Sequence, residues 1–254
     1  MSWGLIDTRV LHVRAGGRDL IVKAAGPANH HIGREITAHE SWTAPLVRAG
    51  RAGALVAASR EANVLVVEYQ EGELVEDTPA EFEAATYRQA GQALGLLHAE
   101  AARGDDTYVA RAKDRALAWL DGDHRIDARA EAAARRVLAS AHSAPVTVVP
   151  THGDFHPRNW LVDGSEVRII DFGRFAHRSA SSDLLRLATQ QWHLDPALEA
   201  AFFAGYGEDP RDPALWDLEL LCEAIGVAAW AYRVGDEDFE ARGHAQIADA
   251  LARM

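Results

Sequence analysis

Between Thr151 and Phe175 the chain reads THGDFHPRNWLVDGSEVRIIDFGRF, which places two carboxylates and an amide at Asp154, Asp171 and Asn159. An amide oxygen and a carboxylate are hard donors of the kind Mg2+ takes. A cation that keeps several waters needs few protein ligands when phosphate oxygens supply the rest. Asn159 and Asp171 are therefore the candidate metal ligands. The second chemical group is a lysine: Lys23 and Lys113 are the only two among 26 basic residues. In a chain so biased to arginine, a lysine at the end of the apolar run RDLIVKAA needs a reason. Lys113, in the polar stretch RAKDRALAW, reads as a solvated helix residue.

Hydrophobic period supplies the elements that must position these groups. WLV and VRII pair as a hairpin around Asp163-Gly164-Ser165-Glu166. Setting Val162 opposite Val167 and Trp160 opposite Ile169 keeps apolar residues together and brings Asn159 and Asp171 to the open end. The strand Val146 to Val149 feeds the loop that carries Asp154 to the same place. Upstream, RVLHVRAGG and RDLIVKAA alternate as a hairpin turned at Ala15-Gly16-Gly17, so Lys23 lies on a small antiparallel sheet. Ile32 to Trp42 has helical spacing, a loop follows, and ALVAAS and NVLVVEY are two further strands. Thr78, Pro79 and Glu81 form a capping box that opens a helix with the stripe Tyr87, Ala90, Leu94 and Leu97. The change of period near residues 70 to 77 separates a sheet-bearing part, 1–70, from a mainly helical part, 71–254, an α+β arrangement. Residues 99 to 143 read as one or two amphipathic helices, and Asp183 as the N-cap before Leu184-Leu185. Trp119, Trp192, Trp216 and Trp230 are expected in helical core.

The order His152-Gly153-Asp154, Asn159, Asp171-Phe172-Gly173, Asp183-Leu184 resembles the aminoglycoside phosphotransferases and related small-molecule kinases of the protein-kinase-like fold. With Lys23 as the strand lysine and Glu35 in GREITAHE as its helix partner, the resemblance covers nearly the whole chain. It implies a two-lobed fold: an N-terminal nucleotide-binding lobe, 1–70, and a helical C-terminal lobe with the catalytic loop and substrate region. It implies Asp154 as catalytic base or positioner of the acceptor hydroxyl, Asn159 and Asp171 on Mg2+, and Lys23 on nucleotide phosphates. Glu35, Glu68 and Tyr69 complete the expected nucleotide-binding set. Spacing alone does not choose between Glu35 and Glu40 as the partner of Lys23. No Gly-x-Gly-x-x-Gly occurs, and Trp3-Gly4-Leu5 is the segment that would stand in for a phosphate flap, with GTP an alternative to ATP. His156 stands where protein kinases carry lysine, and no activation-loop signature is present, which disfavours a protein substrate. His152 is expected to brace the loop backbone, and Arg158 and Arg174 to form ion pairs or touch phosphate.

Composition narrows the partners. The chain has 254 residues and a net charge of −12, enough length for a real core. One cysteine, Cys222, excludes an internal disulfide, and no export signal or long apolar run appears, so a cytoplasmic location is expected. An acidic balance argues against nucleic acid and anionic membranes as partners. Residues 186 to 254 carry thirteen acids against five bases, among them Asp195, Glu199, Glu208, Asp209, Asp217, Glu219 and Glu223. That asymmetry favours a cationic acceptor, most simply an antibiotic such as an aminoglycoside, phosphorylated on a hydroxyl. Alternatives are a metabolite kinase for a sugar, nucleoside or amino alcohol, a nucleotide-binding pseudokinase, or a metal hydrolase using His152, Asp154 and His156 with Asp171 or His177.

Overall fold

The structure, a computed structural model, describes residues 7–254; Trp3-Gly4-Leu5 lies outside them. In chain order the strands and helices are β1 (Arg9–Ala15), β2 (Arg18–Ala24), α1 (His31–Ser41), α2 (Ala44–Arg48), β3 (Leu55–Ser59), β4 (Val64–Glu68), β5 (Glu73–Leu74), α3 (Ala84–His98), β6 (Arg103–Asp105), α4 (Tyr108–Leu120) and α5 (Ala128–Ser140). They continue as β7 (Val146–Thr151), β8 (Trp160–Asp163), β9 (Glu166–Ile169), β10 (Ala176–Arg178), α6 (Leu185–Thr189), α7 (Gln191–Leu194), α8 (Ala197–Tyr206), α9 (Pro213–Val234) and α10 (Glu237–Ala252). Contacts group them into two compact units. The first holds the chain to Ala102 with Val149–His177 and Arg186–Asp209; the second holds Arg103–Val148, Arg178–Leu185 and Pro210–Met254. Residues 70–77 fall inside the first unit. No helix among the described residues is long and apolar enough to cross a membrane.

The first unit opens with an antiparallel sheet in the order β1-β2-β4-β3. Gly16 and Gly17 turn the first hairpin with φ of 59° and 77°, the left-handed pair that a two-residue hairpin loop requires. Strand alternation puts Ile21 and Lys23 on one face of β2, opposite Val67 and Leu65 of β4. Ile21, Leu65 and Val67 pack against Ile32 and Ile36 of α1. Glu35 lies on that same helix stripe, since residues three and four apart share a face. The register that buries the apolar side chains therefore carries Lys23 and Glu35 towards each other. The second hairpin has the expected pairing, with Trp160 opposite Ile169 and Val162 opposite Val167.

Helices α3 and α8 close the first unit at short range. A Cβ on Gly205 would overlap the Arg88 carbonyl, and one on Gly91 would overlap the Phe202 carbonyl. The second unit is helical. Asp127, Asp212 and Asp236 cap α5, α9 and α10, and Gly235 ends α9 in the left-handed conformation at φ 78°. Within it the buried Glu219 accepts hydrogen bonds from Tyr108, Ser179 and Ser181, and Arg125 clasps Glu240 at 2.5 Å.

Five local expectations are corrected. The loop after α1 contains the short helix α2, because Pro45 suits a first helical turn and Leu46 finds a buried seat. Thr78 makes no side-chain cap: its hydroxyl donates to the Val75 carbonyl, and Glu81 accepts from the Asp77 amide instead of the Thr78 amide. The chain then makes a 3-10 turn, Pro79–Phe82, and α3 starts at Ala84. Lys113 is half-buried rather than solvated, donating to the Ala141 carbonyl at 2.8 Å. Asp183 closes a 3-10 turn, Ala180–Asp183, and is buried at 3% exposure. Among the tryptophans, Trp192 and Trp216 are buried, while Trp119 and Trp230 are only half-buried.

The two glycine contacts lead to a stability test. Gly205→Ala and Gly91→Ala should each destabilise the protein by about 1–3 kcal/mol through overpacking. Gly33→Ala in α1, where a Cβ meets nothing within 4 Å, should stabilise it by roughly 0.5–1 kcal/mol. Urea unfolding midpoints of the three variants check both signs.

Candidate active site

The candidate residues and the side chains around them all belong to the first unit. Lys23 Nζ lies 2.7 and 3.0 Å from the two Glu35 carboxylate oxygens and 3.2 Å from Asp171 Oδ1. Glu40, the alternative partner, is taken by Arg60 at 2.6 Å. Burial disfavours the Lys23 ammonium, but the charges of Glu35 and Asp171 outweigh it and hold the pKa above that of an ordinary lysine. Burial likewise pushes the Glu35 carboxyl up, and the Lys23 charge pulls it back. The Lys23 charge holds Asp171 low against its own desolvation. His39, on α1, is pushed by burial, and then by the Lys23 charge, down to about 4, so it stays neutral beside the ammonium.

Helix α1 is tied to Asp171-Phe172-Gly173 at two further points. Glu35 accepts from the Phe172 amide. His31 Nδ1 donates to the Gly173 carbonyl at 2.9 Å. Phe172 is buried against the rings of His39 and His152. Asp171 itself has φ 65°, a left-handed conformation that is sparsely used by residues other than glycine and that recurs at functional sites. The turn swings its carboxylate out of β9 towards Lys23.

The Asp154 loop is held from within. Gly153 has φ 84°, which glycine alone adopts without penalty. The Asp154 amide donates to His152 Nδ1 at 3.2 Å. Nδ1 therefore accepts, and Nε2 carries the proton that His152 donates to the Ile170 carbonyl at 3.0 Å. His152 thus braces the loop as expected. Asn159 Nδ2 donates to the Asp154 carbonyl at 2.7 Å, and the Asn159 carbonyl accepts from Ile170, the residue before Asp171. Phe155 and Trp160 anchor the loop on either side of these polar groups, both almost fully buried, with Trp160 edge-on to Tyr87 of α3.

Asp154 is 5% exposed and ringed by cations. Arg158 donates to Oδ2 at 2.7 Å, Arg186 lies 3.2 Å from Oδ1, Arg174 lies 3.8 Å from Oδ2, and His156 lies 3.6 Å from Oδ1. Burial alone would raise the carboxyl; Arg186, then His156 and Arg174, override it and hold Asp154 well below the usual carboxylate range. Burial, the leading effect, lowers His156 and keeps it neutral. Oδ1 of Asp154 and Nε2 of His156 are buried with no hydrogen-bond partner.

The sequence-derived residues thus fall into one connected group and one outlying pair. Lys23, Glu35 and Asp171 are in direct contact, and Asp154 and Asn159 are joined to Asp171 through the Ile170 peptide. Glu68 and Tyr69 stand apart. Glu68 pairs with Arg18 at 2.5 Å, Tyr69 stacks on His12 at 4.4 Å, and both line an open cavity of about 410 Å³ with Arg14, Asp19 and Glu71. The hydrolase alternative loses its ligand set, since both ring nitrogens of His152 are engaged. Among the described residues no three histidine, cysteine or acidic side chains gather as a metal-holding group. Arg186 escaped the sequence reading. Its signal was present, a lone arginine inside the apolar run DLLRLA.

Residues 3–216 match the sequence pattern of the APH family, described as a phosphotransferase enzyme family. The chain belongs to this family. Its class of activity, phosphotransfer to small molecules, follows from that membership. Among solved structures, that of the aminoglycoside phosphotransferase APH(4)-Ia is similar with a TM-score of 0.72 and 13% identity, covering 100% of this chain and 92% of that one. The choline kinase LicA from Streptococcus pneumoniae has a TM-score of 0.69 and 14% identity, with 96% and 90% covered. The macrolide 2'-phosphotransferase MphH from Brachybacterium faecium has a TM-score of 0.62 and 16% identity, with 97% and 90% covered. At such identities these likenesses establish the protein-kinase-like fold. No curated protein sequence is similar enough to count as a relative.

The buried ion pair leads to a test of stability. Lys23→Met leaves Glu35 buried without its cation and should cost about 3–5 kcal/mol near neutral pH. With its pKa raised further, Glu35 would stabilise this variant fully only below its unfolded value of about 4.3 and lose that contribution as pH rises through the folded value. Urea unfolding between pH 4.5 and 8 should therefore show Lys23→Met weakening towards neutrality. Lys23→Met/Glu35→Leu should recover most of the loss.

Proposed function

We propose that this phosphotransferase moves the γ-phosphoryl group of ATP, or of GTP, to a hydroxyl of a small molecule, with Asp154 at the acceptor. The observation that carries the reading is the buried Oδ1 of Asp154, which accepts no hydrogen bond although Arg186 pairs with it at 3.2 Å, in a loop bonded directly to the turn that bears Asp171. A carboxylate oxygen can only accept when ionised, and the cations around Asp154 keep it ionised, so Oδ1 suits a donor hydroxyl. A carboxylate held this low is a weak base. Its work is to orient the hydroxyl and to take the proton late, as phosphoryl transfer requires. Solved structures of APH(4)-Ia variants with AMP-PNP and hygromycin B support nucleotide use by a fold of this kind.

The residues fit a magnesium ion. Asn159 turns its amide nitrogen to the Asp154 carbonyl, which leaves its oxygen as the donor for a cation. Asp171 offers a carboxylate whose side chain is 54% exposed. When bound with nucleotide, Mg2+ neutralises charge on the phosphate oxygens. Lys23, held by Glu35, would add its charge on the same phosphates, and residues 1–70 form the nucleotide-binding part, with 71–254 supplying the catalytic loop and acceptor region. Glu68 and Tyr69, on and just after β4, complete the proposed nucleotide-binding set, and their side chains are engaged by Arg18 and His12. The expectation of an aminoglycoside or other cationic acceptor has no support in the charges nearest Asp154, which are arginines.

Asp154→Asn should leave Mg-nucleotide binding near wild type while kcat falls by roughly 10²- to 10⁴-fold. Calorimetry and single-turnover assays separate the two, and wild-type turnover would remove Asp154 from the reaction. Asp171→Ala and Lys23→Met should fail differently in a magnesium titration of turnover. Excess Mg2+ partly restores the aspartate variant, which lost a metal ligand. It does not help the lysine variant, whose KM for nucleotide and kcat both suffer. The reverse pattern would exchange the two roles.

A further inference from the structure

The surroundings of Asp154 also specify the acceptor, and the following inference rests on the phosphotransferase reading. Arg158 lies one turn after Asp154, Arg174 follows Asp171-Phe172-Gly173, and Arg186 sits on α6; three separate segments bring guanidinium groups to within 3.8 Å of one carboxylate. Their side chains are 35%, 45% and 18% exposed, so solutes can reach them. Beside them Asp154 Oδ1 and His156 Nε2 are buried polar atoms that complete no hydrogen bond, Oδ1 having the ion-pair contact of Arg186 at 3.2 Å and Nε2 lying 3.6 Å from Oδ1, which marks a place where a ligand atom completes the bonding. Acids are also near: Glu76 is exposed and interacts with Arg158, and Asp171 interacts with Asp154. Two of the acids that favoured a cation are engaged in bonds of their own: Glu219 is buried against three hydroxyls and Asp195 takes the Ala197 amide.

A hydroxyl donated to Oδ1 would stand among these guanidinium groups. Any substituent one or two bonds from that hydroxyl meets them too. Guanidinium forks match planar and tetrahedral oxyanions, whereas an ammonium in the same position meets like charge. We propose that the acceptor carries an oxyanion, a carboxylate, phosphate or sulfate, beside the hydroxyl that is phosphorylated, and that Arg158, Arg174 and Arg186 receive it.

The test titrates the full chain, first with Mg·ADP to saturation and then with sodium sulfate, using calorimetry. Wild type should bind sulfate at about one site per chain, and Arg158→Gln and Arg186→Gln should each weaken it by about tenfold, the loss of one charge-assisted bond. Arg186→Lys, which keeps the charge and loses the fork, should fall between, and thermal melting confirms that each variant is folded. Choline chloride should give no binding under the same conditions. Sulfate that fails to bind wild type, an affinity unchanged in both glutamine variants, or choline binding more tightly than sulfate would overturn the proposal. If Mg·ADP itself does not bind in the first titration, the phosphotransferase reading falls and this inference with it, so the two failures are read in separate steps.

Discussion

The buried pair of Lys23 and Glu35 is the interaction on which the first unit depends. Two charges with side chains 13% and 4% exposed are tolerable only when they face one another, because either alone would carry an uncompensated desolvation cost. That requirement couples three things that are separate in sequence. The register of β2 on β4 must put Lys23 on the α1 face, α1 must be rotated so that Glu35 lies between Ile32 and Ile36, and the turn at Asp171 must bring a second carboxylate to the ammonium. The left-handed backbone of Asp171 is sustained by these bonds, together with those of His31 and Glu35 to the following residues.

The Asp154 loop follows a different physical rule. Its polar groups are satisfied by the loop and the segment after β9: His152 accepts from the Asp154 amide on one ring nitrogen and donates to the Ile170 carbonyl from the other, and Asn159 bonds back to the Asp154 carbonyl. Phe155 and Trp160 drive into core on either side, so hydrophobic burial holds the loop while hydrogen bonds set its shape. What the loop leaves unsatisfied, Oδ1 of Asp154 and Nε2 of His156, lies in the field of the arginines. A site built in this way is ordered before a ligand arrives, which spares the reorganisation that water would demand.

Much of this was legible in the chain. The two hairpins, the sheet, the helix of Glu35 and the register that joins Asn159 to Asp171 follow from period-two and period-3.6 patterning, which records burial directly. Local capping was less legible, because a Thr-Pro-x-Glu pattern is compatible with several hydrogen-bond choices. Val75 and Asp77 decided between them. The choice of Glu35 over Glu40 needed the position of Arg60, a residue from the β3–β4 turn.

By itself the sequence determined the residue types that phosphoryl transfer calls for, their order, and the elements that bear them, since those are matters of composition and local period. Only the tertiary structure decided the charge around Asp154. Arg186 lies 32 positions from Asp154 along the chain, roughly, and no local pattern records that a helix will return it to that loop. Net charge is blind to position for the same reason: thirteen acids after residue 185 sum to a strong negative balance wherever they lie. Coulomb interactions fall with distance and screening, however, so the three arginines within 4 Å of Asp154 weigh heavily on that carboxylate.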